Sequence, residues 1–443
     1  MLNSPYLYFT DAVLRAPTIG CMLMCLASAL VGVIVFLRKQ SLLGESLSHA
    51  AYPGVIGGVI VAGLLNLHDE NDSLISLLIL GGAFVSALIG LIVIFYMQRK
   101  LKVSSDSALC FVLSAFFGIG LTLASEVQFS YSSLYRQVQA YLYGQAATMM
   151  DIHIAIYGGL SALIIFVIVL FYKEIQSIAF DRQYATSIGI RTHAIDCLIF
   201  LLIVLAVIIG IRSVGVVLMS AMLIAPAVAA RQYTNKLHLM FLLSALFGTI
   251  SGFLGNYLSG EITQLWSSDP QHGRLNIPTG PIIVIIASAI CLLSLLFAPE
   301  RGLLIRFIRI IHFRYRCIYE NILKSIWRQP KRDITFEEIA KYHTASAWYI
   351  RFILYRLIKY GWLKRTEIGY QLTVDGSIWA ARIVRLHRLW EVYLVDYLGV
   401  GAERVHRSAE EMEHIITPEL EKQLTLLLKD PKHDPHDQPI PPR

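Results

Sequence analysis

The residues best suited to chemistry lie near the end of the chain. His387 and Glu391 stand at i and i+4, and the run VHRSAEEMEHII brings His406, Glu410, Glu413 and His414 to one side of a helix. Imidazole and carboxylate donors without thiolates suit first-row divalent cations better than a soft metal. A solvated acidic helix face is the plain alternative, and two His–Glu pairs in phase argue against it. A second pair, Glu45 and His49, opens an apolar run in LLGESLSHAAYPGVIGG. Ionisable groups at membrane depth are costly and mark ion pathways, so this pair reads as a contact for Mn²⁺, Fe²⁺ or Zn²⁺. The alternative is a glutamate that snorkels to the interface and a histidine bonded to a backbone carbonyl. A third feature is the polar segment FDRQYATSIGI at 180–190, whose small residues Ala185 and Gly189 are spaced to form a close-docking face; an ordinary amphipathic loop helix is the alternative. The sequence contains no GxxxxGK[ST] motif. The chain therefore reads as a non-enzyme that binds no nucleotide directly.

The elements that must position these groups divide into two kinds. Hydrophobic residues make up 56% of the 443 and charged residues only 16%, too apolar for a soluble protein of this size. From Glu300 onward the chain carries 24 Lys+Arg against 18 Asp+Glu, which is nearly all of the formal net charge of +7. A near-neutral membrane part joined to a basic soluble part follows. The six cysteines form no CxxC pair and no disulfide framework. Cys21 and Cys25 read as small packing residues.

Apolar runs lie at 17–37, 51–66, 74–97, 107–125, 152–172, 193–211, 214–230, 236–258 and 280–298. A span needs about 20 residues, so 51–66 and 214–230 are short and read as broken or re-entrant, with eight spans as the alternative to nine. The first run has no basic n-region and is followed by further runs, so it reads as a span rather than a cleavable signal peptide. Basic residues follow alternate runs: Arg38 and Lys39, then Arg99, Lys100 and Lys102, then Lys173, Arg182 and Arg191, then Arg231 and Lys236, then Arg301, Arg306 and Arg309. The positive-inside rule then puts the N-terminus outside and the C-terminus in the cytoplasm. The acidic segment 68–72, Glu126 and the segment 266–279 fall on the other side.

GESLSHAAYPG, AYLYGQ at 140–145, FDRQYATSIGI and SVGVVLMSAMLIAPAVAAR at 213–231 occur in the order seen in the manganese/zinc/iron ABC permease family. Residues 10–298 resemble that family. The resemblance implies an all-helical type II importer permease of eight or nine transmembrane helices in a bacterial inner membrane. It further implies a second permease subunit around one pore, identical or not, an ABC ATPase subunit and an extracytoplasmic metal-binding protein. It makes Glu45 and His49 pore-lining metal contacts, although the family more often has Asp where this chain has Glu45. It makes Phe180, Asp181, Ala185 and Gly189 part of the coupling helix that touches the ATPase.

Beyond the last run, RGLLIRFIRIIHFRYR at 301–316 is basic and amphipathic. It reads either as a helix along the inner membrane surface or as the first helix of the soluble part. Helices at 315–327, 335–342 and 346–360, a hairpin at 362–374 and a helix at 376–398 follow, which is the order of a winged helix-turn-helix. Ser346, Tyr349 and Arg351 lie where a recognition helix meets base edges. Arg356 and Lys359 follow on later turns, and Lys364 and Arg365 begin the wing, placed to meet phosphates. Such units also serve as plain interaction modules. LTVDG, HRLWEVYLVDYLG, VHRSAEEMEH and PHDQPIP are similar to the diphtheria-toxin-repressor family of iron- and manganese-dependent repressors.

That second resemblance runs from about Tyr315 to Pro441. It implies a dimer that binds operator DNA with a divalent metal, Mn²⁺ or Fe²⁺, as cofactor. It puts His387, Glu391 and His406 in one metal site and Glu410, Glu413 and His414 in another, or all six in a binuclear one. Glu at 410, rather than Cys, tilts the domain toward Mn²⁺. The family's N-terminal ligand has no good match in the stretch Cys317 to Asn321, where Glu320 or a backbone carbonyl is the candidate substitute, and the family's SH3-like domain has no counterpart. The expected domains are a permease at 1–298, a basic linker at 299–314, a winged unit at 315–375 and a metal-binding and dimerisation unit at 376–443. The alternatives are a metal-sensing regulatory domain without DNA binding and a membrane-anchored transcription factor. A tethered repressor meets its operator only at the membrane, so release by proteolysis within 299–320 is expected.

Overall fold

The computed structural model describes residues 4–65, 72–130, 138–139, 141–142, 144, 146, 149–267, 277–329, 333–341 and 345–442. Residues 68–71 of the acidic segment, residues 140, 143 and 145 of AYLYGQ, residues 268–276 of the segment 266–279 and residue 342 fall outside them. The chain forms two compact units, Met1–Ile305 and Arg306–Arg443.

The first unit is helical: α1 (Leu7–Thr10), α2 (Ala12–Leu37), α3 (Ser41–Leu64), α4 (Asp72–Arg99), α5 (Ser105–Ser130), α6 (Asp151–Leu170), α7 (Tyr172–Phe180), α8 (Arg182–Ser187), α9 (Thr192–Val214), α10 (Met219–Tyr233), α11 (Leu237–Ser267) and α12 (Thr279–Phe297). Among the described residues eight of these, α2 to α6, α9, α11 and α12, are long and apolar enough to cross a membrane. The short run at 51–66 belongs to the 24-residue α3, which starts at Ser41. The polar stretch GESLSH is therefore inside the helix, and Glu45 and His49 ride on its first turns. α3 and α4 touch through backbone at Gly54 and Gly82, where a Cβ on Gly54 would meet the Gly82 carbonyl oxygen at 2.1 Å.

The run at 214–230 is broken. α9 stops at Gly215, whose φ of 92° lies in the left-handed region. A turn follows, and then the 15-residue α10, only about 22 Å long at 1.5 Å per residue. Gly280, at the start of α12, lies against Val214, and Arg301, just past the end of α12, bonds Asn235. The segment between Val214 and Asn235 thus runs the length of α12. Among the described residues there are thus eight helices long enough to span and one further segment, a turn plus a short helix, so the counts of eight and nine read from the sequence differ in whether that segment is included. Arg38, Arg99, Arg182 and Arg301 gather at one end of the bundle: Arg38 and Arg182 both reach Asp196, and Arg99 reaches His193. At the other end Arg15 pairs with Asp151 at 2.7 Å, and Arg212 lies 2.7 Å from His153.

In the second unit, α13 (Leu303–Trp327) is one continuous 25-residue helix. The basic amphipathic stretch and the helix expected at 315–327 are parts of it, with no separate linker element between 303 and 314. Its last turns bury Ile322, Leu323 and Ile326 in the core of this unit. α14 (Phe336–Lys341) follows a capping box in which the Thr335 N–H donates to Glu338 Oε2 and the Glu338 N–H to Thr335 Oγ1. α15 (Ala347–Lys359) supplies Ile350, Ile353, Leu354 and Leu357 to the same core. β1 (Leu363–Arg365) and β2 (Tyr370–Leu372) pair antiparallel, with Leu363 opposite Leu372. α16 (Val374–Asp396), capped by the Thr373 hydroxyl, leads to α17 (Ala402–Met412) and α18 (Pro418–Leu427).

Candidate metal centre and transport residues

α16 projects His387 and Glu391 from adjacent turns, and α17 lies against it. His387, Glu391 and His406 bring one ligand atom each within 4.8 Å of one another. Glu391 Oε1 is 3.2 Å from His387 Nε2 and 3.0 Å from His406 Nδ1. Ligands around a divalent ion at about 2.1 Å in tetrahedral geometry stand about 3.4 Å apart, so the set fits such an ion with shifts of a few tenths of an ångström. Glu410 sits at the rim, half-exposed, with Oε1 3.5 Å from His406 Nε2.

Burial pushes the Glu391 carboxyl up, but hydrogen bonds from His387 and His406 outweigh it and hold the group down to about 2. Burial likewise opposes the charged form of His387, yet bonds to Glu391 and Glu413 raise its pKa above the ordinary histidine value. Without metal, protons therefore bind this cluster together, and a divalent ion must displace them.

The other expected ligands face elsewhere. Glu413 Oε2 accepts from His387 Nδ1 at 2.5 Å, which leaves His387 Nε2 free for the centre, the usual role of a carboxylate behind a metal-bound histidine. Glu413 also pairs with the Lys324 ammonium at 2.7 and 2.8 Å. Against the pull of burial, His387 and Lys324 hold its carboxyl below the usual range. His414 Nδ1 lies 2.6 Å from Glu320 Oε2, and Arg316 Nε donates to Glu320 Oε1 at 2.7 Å. The structure thus brings together His387, Glu391 and His406 with Glu410 beside them, and turns Glu413 and His414 toward α13. Lys324 carried no local signal in the sequence, because its partners are 63 and 89 residues away.

On α15 and β1 with the residues just before α15, Ser346, Arg351, Lys364 and Arg365 are exposed and Tyr349 is half-buried against the core. The Arg351 guanidinium sits 4.9 Å from the Phe336 ring centroid. Trp348, Phe352 and Tyr355, which the spacing argument passed over, are exposed along the same helix.

In the membrane unit Glu45 lines a cleft of about 450 Å³ with Ser220, Ala221 and Ile224 of α10 and Ser288 and Cys291 of α12. His49 is buried against Phe117, 4.8 Å between ring centroids, and its Nδ1 has no hydrogen-bond partner among the described residues. At the basic end Asp181 caps α8 by accepting from the Tyr184 N–H at 2.9 Å. Ala185 is fully buried and Gly189 lies beyond the helix at φ 86°. The two do not form a shared docking face, because α8 is only six residues long and i, i+4 spacing has no meaning past its end. Phe180, Tyr184 and Ile188 are exposed instead. Asp196, which the sequence reading missed, anchors the segment: it accepts from Arg182 and from Arg38 at 2.6 Å each.

Residues 10–298 match the ABC 3 transport family. The chain belongs to that family. Residues 373–442 match the iron dependent repressor, metal binding and dimerisation domain, so a repressor-type domain is fused behind the permease. A "probable metal transport system membrane protein" of Chlamydia trachomatis is 36% identical over 448 residues, covering 98% of this chain and 97% of that one. The manganese transport system membrane protein MntC of Bacillus subtilis is 33% identical over 386 residues, covering 86% and 84%. The solved structure of PsaBC from Streptococcus pneumoniae in complex with Fab superposes with a TM-score of 0.56 at 26% identity, over 69% of this chain and 97% of that one.

Proposed function

We propose that this chain is the permease subunit of an ABC importer for a divalent transition metal, and that its C-terminal unit is a metal-dependent repressor reading the same pool of ions. The transport reading rests on family membership, on relatives named for manganese and metal transport, and on Glu45 facing a cleft beside the broken seventh run. Irregular backbone is tolerated at membrane depth where it lines a cavity or is buried in protein. The open cleft fits closure by a second permease subunit, with an extracytoplasmic metal-binding protein delivering the ion. The basic end is the cytoplasmic one by the positive-inside rule. There Phe180, Tyr184 and Ile188 form the surface offered to an ABC ATPase, with Asp181 and Asp196 holding it in place. Since α12 ends at that face, the C-terminal unit is cytoplasmic.

The observation that carries the sensor reading is the convergence of His387, Glu391 and His406. Mn²⁺ or Fe²⁺ bound there replaces protons with a double positive charge and ties α16 to α17. The Ser346, Arg351, Lys364 and Arg365 surface then presents to operator DNA, as a dimer on a near-palindromic site. Exposed Trp348, Phe352 and Tyr355 favour one alternative, a metal-sensing unit that contacts protein rather than DNA. Two measurements test the proposal. Glu45→Ala and His49→Ala abolish metal uptake with membrane insertion intact, and normal uptake in both refutes the pathway. The purified chain retards its own promoter DNA in Mn²⁺ or Fe²⁺ but not in chelator. Equal retardation in both refutes the sensor, and none in either leaves the protein-contact alternative.

A further inference from the structure

Glu320, Glu413 and His414 converge on α13 with the composition of a second metal site: two carboxylates and an imidazole, each no more than 5% exposed. Their charges are already met from within the chain. The Lys324 ammonium, itself 4% exposed, lies 2.7 and 2.8 Å from the two oxygens of Glu413 and 3.4 Å from His387 Nδ1. One oxygen of Glu320 accepts from Arg316 and the other faces His414. Two carboxylates are thus matched by two cations, both carried by α13. The set around His387 is different: Glu391 and Glu410 supply two negative charges, and the strong cations Lys324 and Arg316 are spent on Glu413 and Glu320. A divalent ion is favoured where the donors are held only through imidazoles that can give up a proton, and disfavoured beside a buried ammonium that already holds the donor oxygens.

We propose that Lys324 is a built-in cation standing in for a second metal ion, so that the regulatory domain takes one divalent ion per chain, at His387, Glu391 and His406. This rests on the metal-centre reading above. Glu413 is then a positioning residue, joined to α13 by a permanent ion pair and to His387 by a hydrogen bond. In consequence, the link between the first helix of the winged unit and the metal-bearing helix exists with or without metal. The bound ion adds the α16–α17 tie and not the α13 tie. A lysine arm of this length reaches the position that a metal ion would share between Glu413 and its neighbours, and its three N–H donors replace coordination bonds.

The test counts Mn²⁺ per chain by equilibrium dialysis of the full-length protein in detergent, comparing variants so that any ion in the transport pathway cancels. His406→Ala lowers the count by one and His414→Ala leaves it unchanged. Lys324→Met, which keeps the unbranched apolar stem of the side chain and removes its ammonium, raises the count by one, and Lys324→Met with His414→Ala loses that extra ion. Lys324→Gln serves as the second uncharged variant. In Lys324→Met the paired ions also replace the isolated Mn²⁺ electron paramagnetic resonance signal with a spin-coupled one. Loss of an ion from the parent on His414→Ala overturns the proposal while the centre stands, since it means that the second site is already filled. An unchanged count in both Lys324→Met and Lys324→Gln does the same. An unchanged count on His406→Ala removes the metal centre itself and overturns both readings.

Discussion

Asp196→Asn isolates the clamp behind the segment proposed to meet the ATPase. The Asp196 side chain is 7% exposed and accepts from Arg38, 9% exposed, and from Arg182, 49% exposed. Replacing the carboxylate leaves the Arg38 guanidinium buried without its anion, and breaking a buried pair in this way costs about 3–5 kcal/mol. Arg38 keeps its contact with the Phe200 ring, 5.4 Å from the centroid, in parent and variant alike, so that contact leaves the difference unchanged. The expectation is a loss of about 3–5 kcal/mol. Arg182→Ala removes only the half-exposed partner and costs about 1 kcal/mol or less. Thermal unfolding in detergent reads both values. Metal uptake and ATP hydrolysis in the assembled transporter read the function. Both variants lower uptake per ATP hydrolysed, since each frees α8 from α9, but only Asp196→Asn lowers the melting temperature substantially. In the double variant the effect of Arg182→Ala on stability vanishes, because its partner charge is already gone. An Asp196→Asn protein that melts and transports like the parent refutes the clamp. So does an Arg182→Ala protein as unstable as Asp196→Asn.

Tyr184→Asp places a charge in the exposed Phe180–Tyr184–Ile188 surface and cuts ATPase association at least tenfold in a pull-down, while Thr186→Ala beside it has little effect; equal binding by both variants counts against the surface. Metal affinity at His387 rises with pH through the raised histidine pKa, because protons and metal compete for Nε2, and a pH-independent affinity argues against the assignment. For the metal-free domain, the raised His387 contributes stability below the unfolded value of 6.5 that is lost as pH climbs through its folded value. Glu391 contributes above 4.5, and that contribution is lost as pH falls toward about 2. The metal-free melting temperature therefore peaks between these values, and a maximum above pH 8 contradicts the ion-paired cluster. If the repressor unit is released in cells, the cut falls at 298–302, outside α12 and α13; a C-terminal fragment starting inside α13 shows that the helix opens first.

The spacing of residues within one helix was enough to find much of this protein. His387 with Glu391, and Glu45 with His49, share faces because α-helical periodicity is local and needs no knowledge of the rest of the chain. The membrane passages were legible for the same reason, since a span is a continuous apolar run; the broken seventh run showed as one too short to cross, although 51–66 looked equally short and belongs to a 24-residue helix. Tertiary packing decided what those faces meet. Glu413 and His414 have the same spacing credentials as His406, yet they turn to Lys324 and Glu320 on a helix some 90 residues earlier. Ala185 has the spacing of a docking residue and is buried, because a six-residue helix anchored through Asp196 turns that side inward. Asp196 itself looked like an ordinary residue at the start of an apolar run; its two arginines come from α8 and from the end of α2, 158 residues away. Local pattern sets which side chains are neighbours along a helix, whereas the partner of a buried charge is chosen by which other helix packs there. An ion pair between distant segments leaves no periodic trace in either of them.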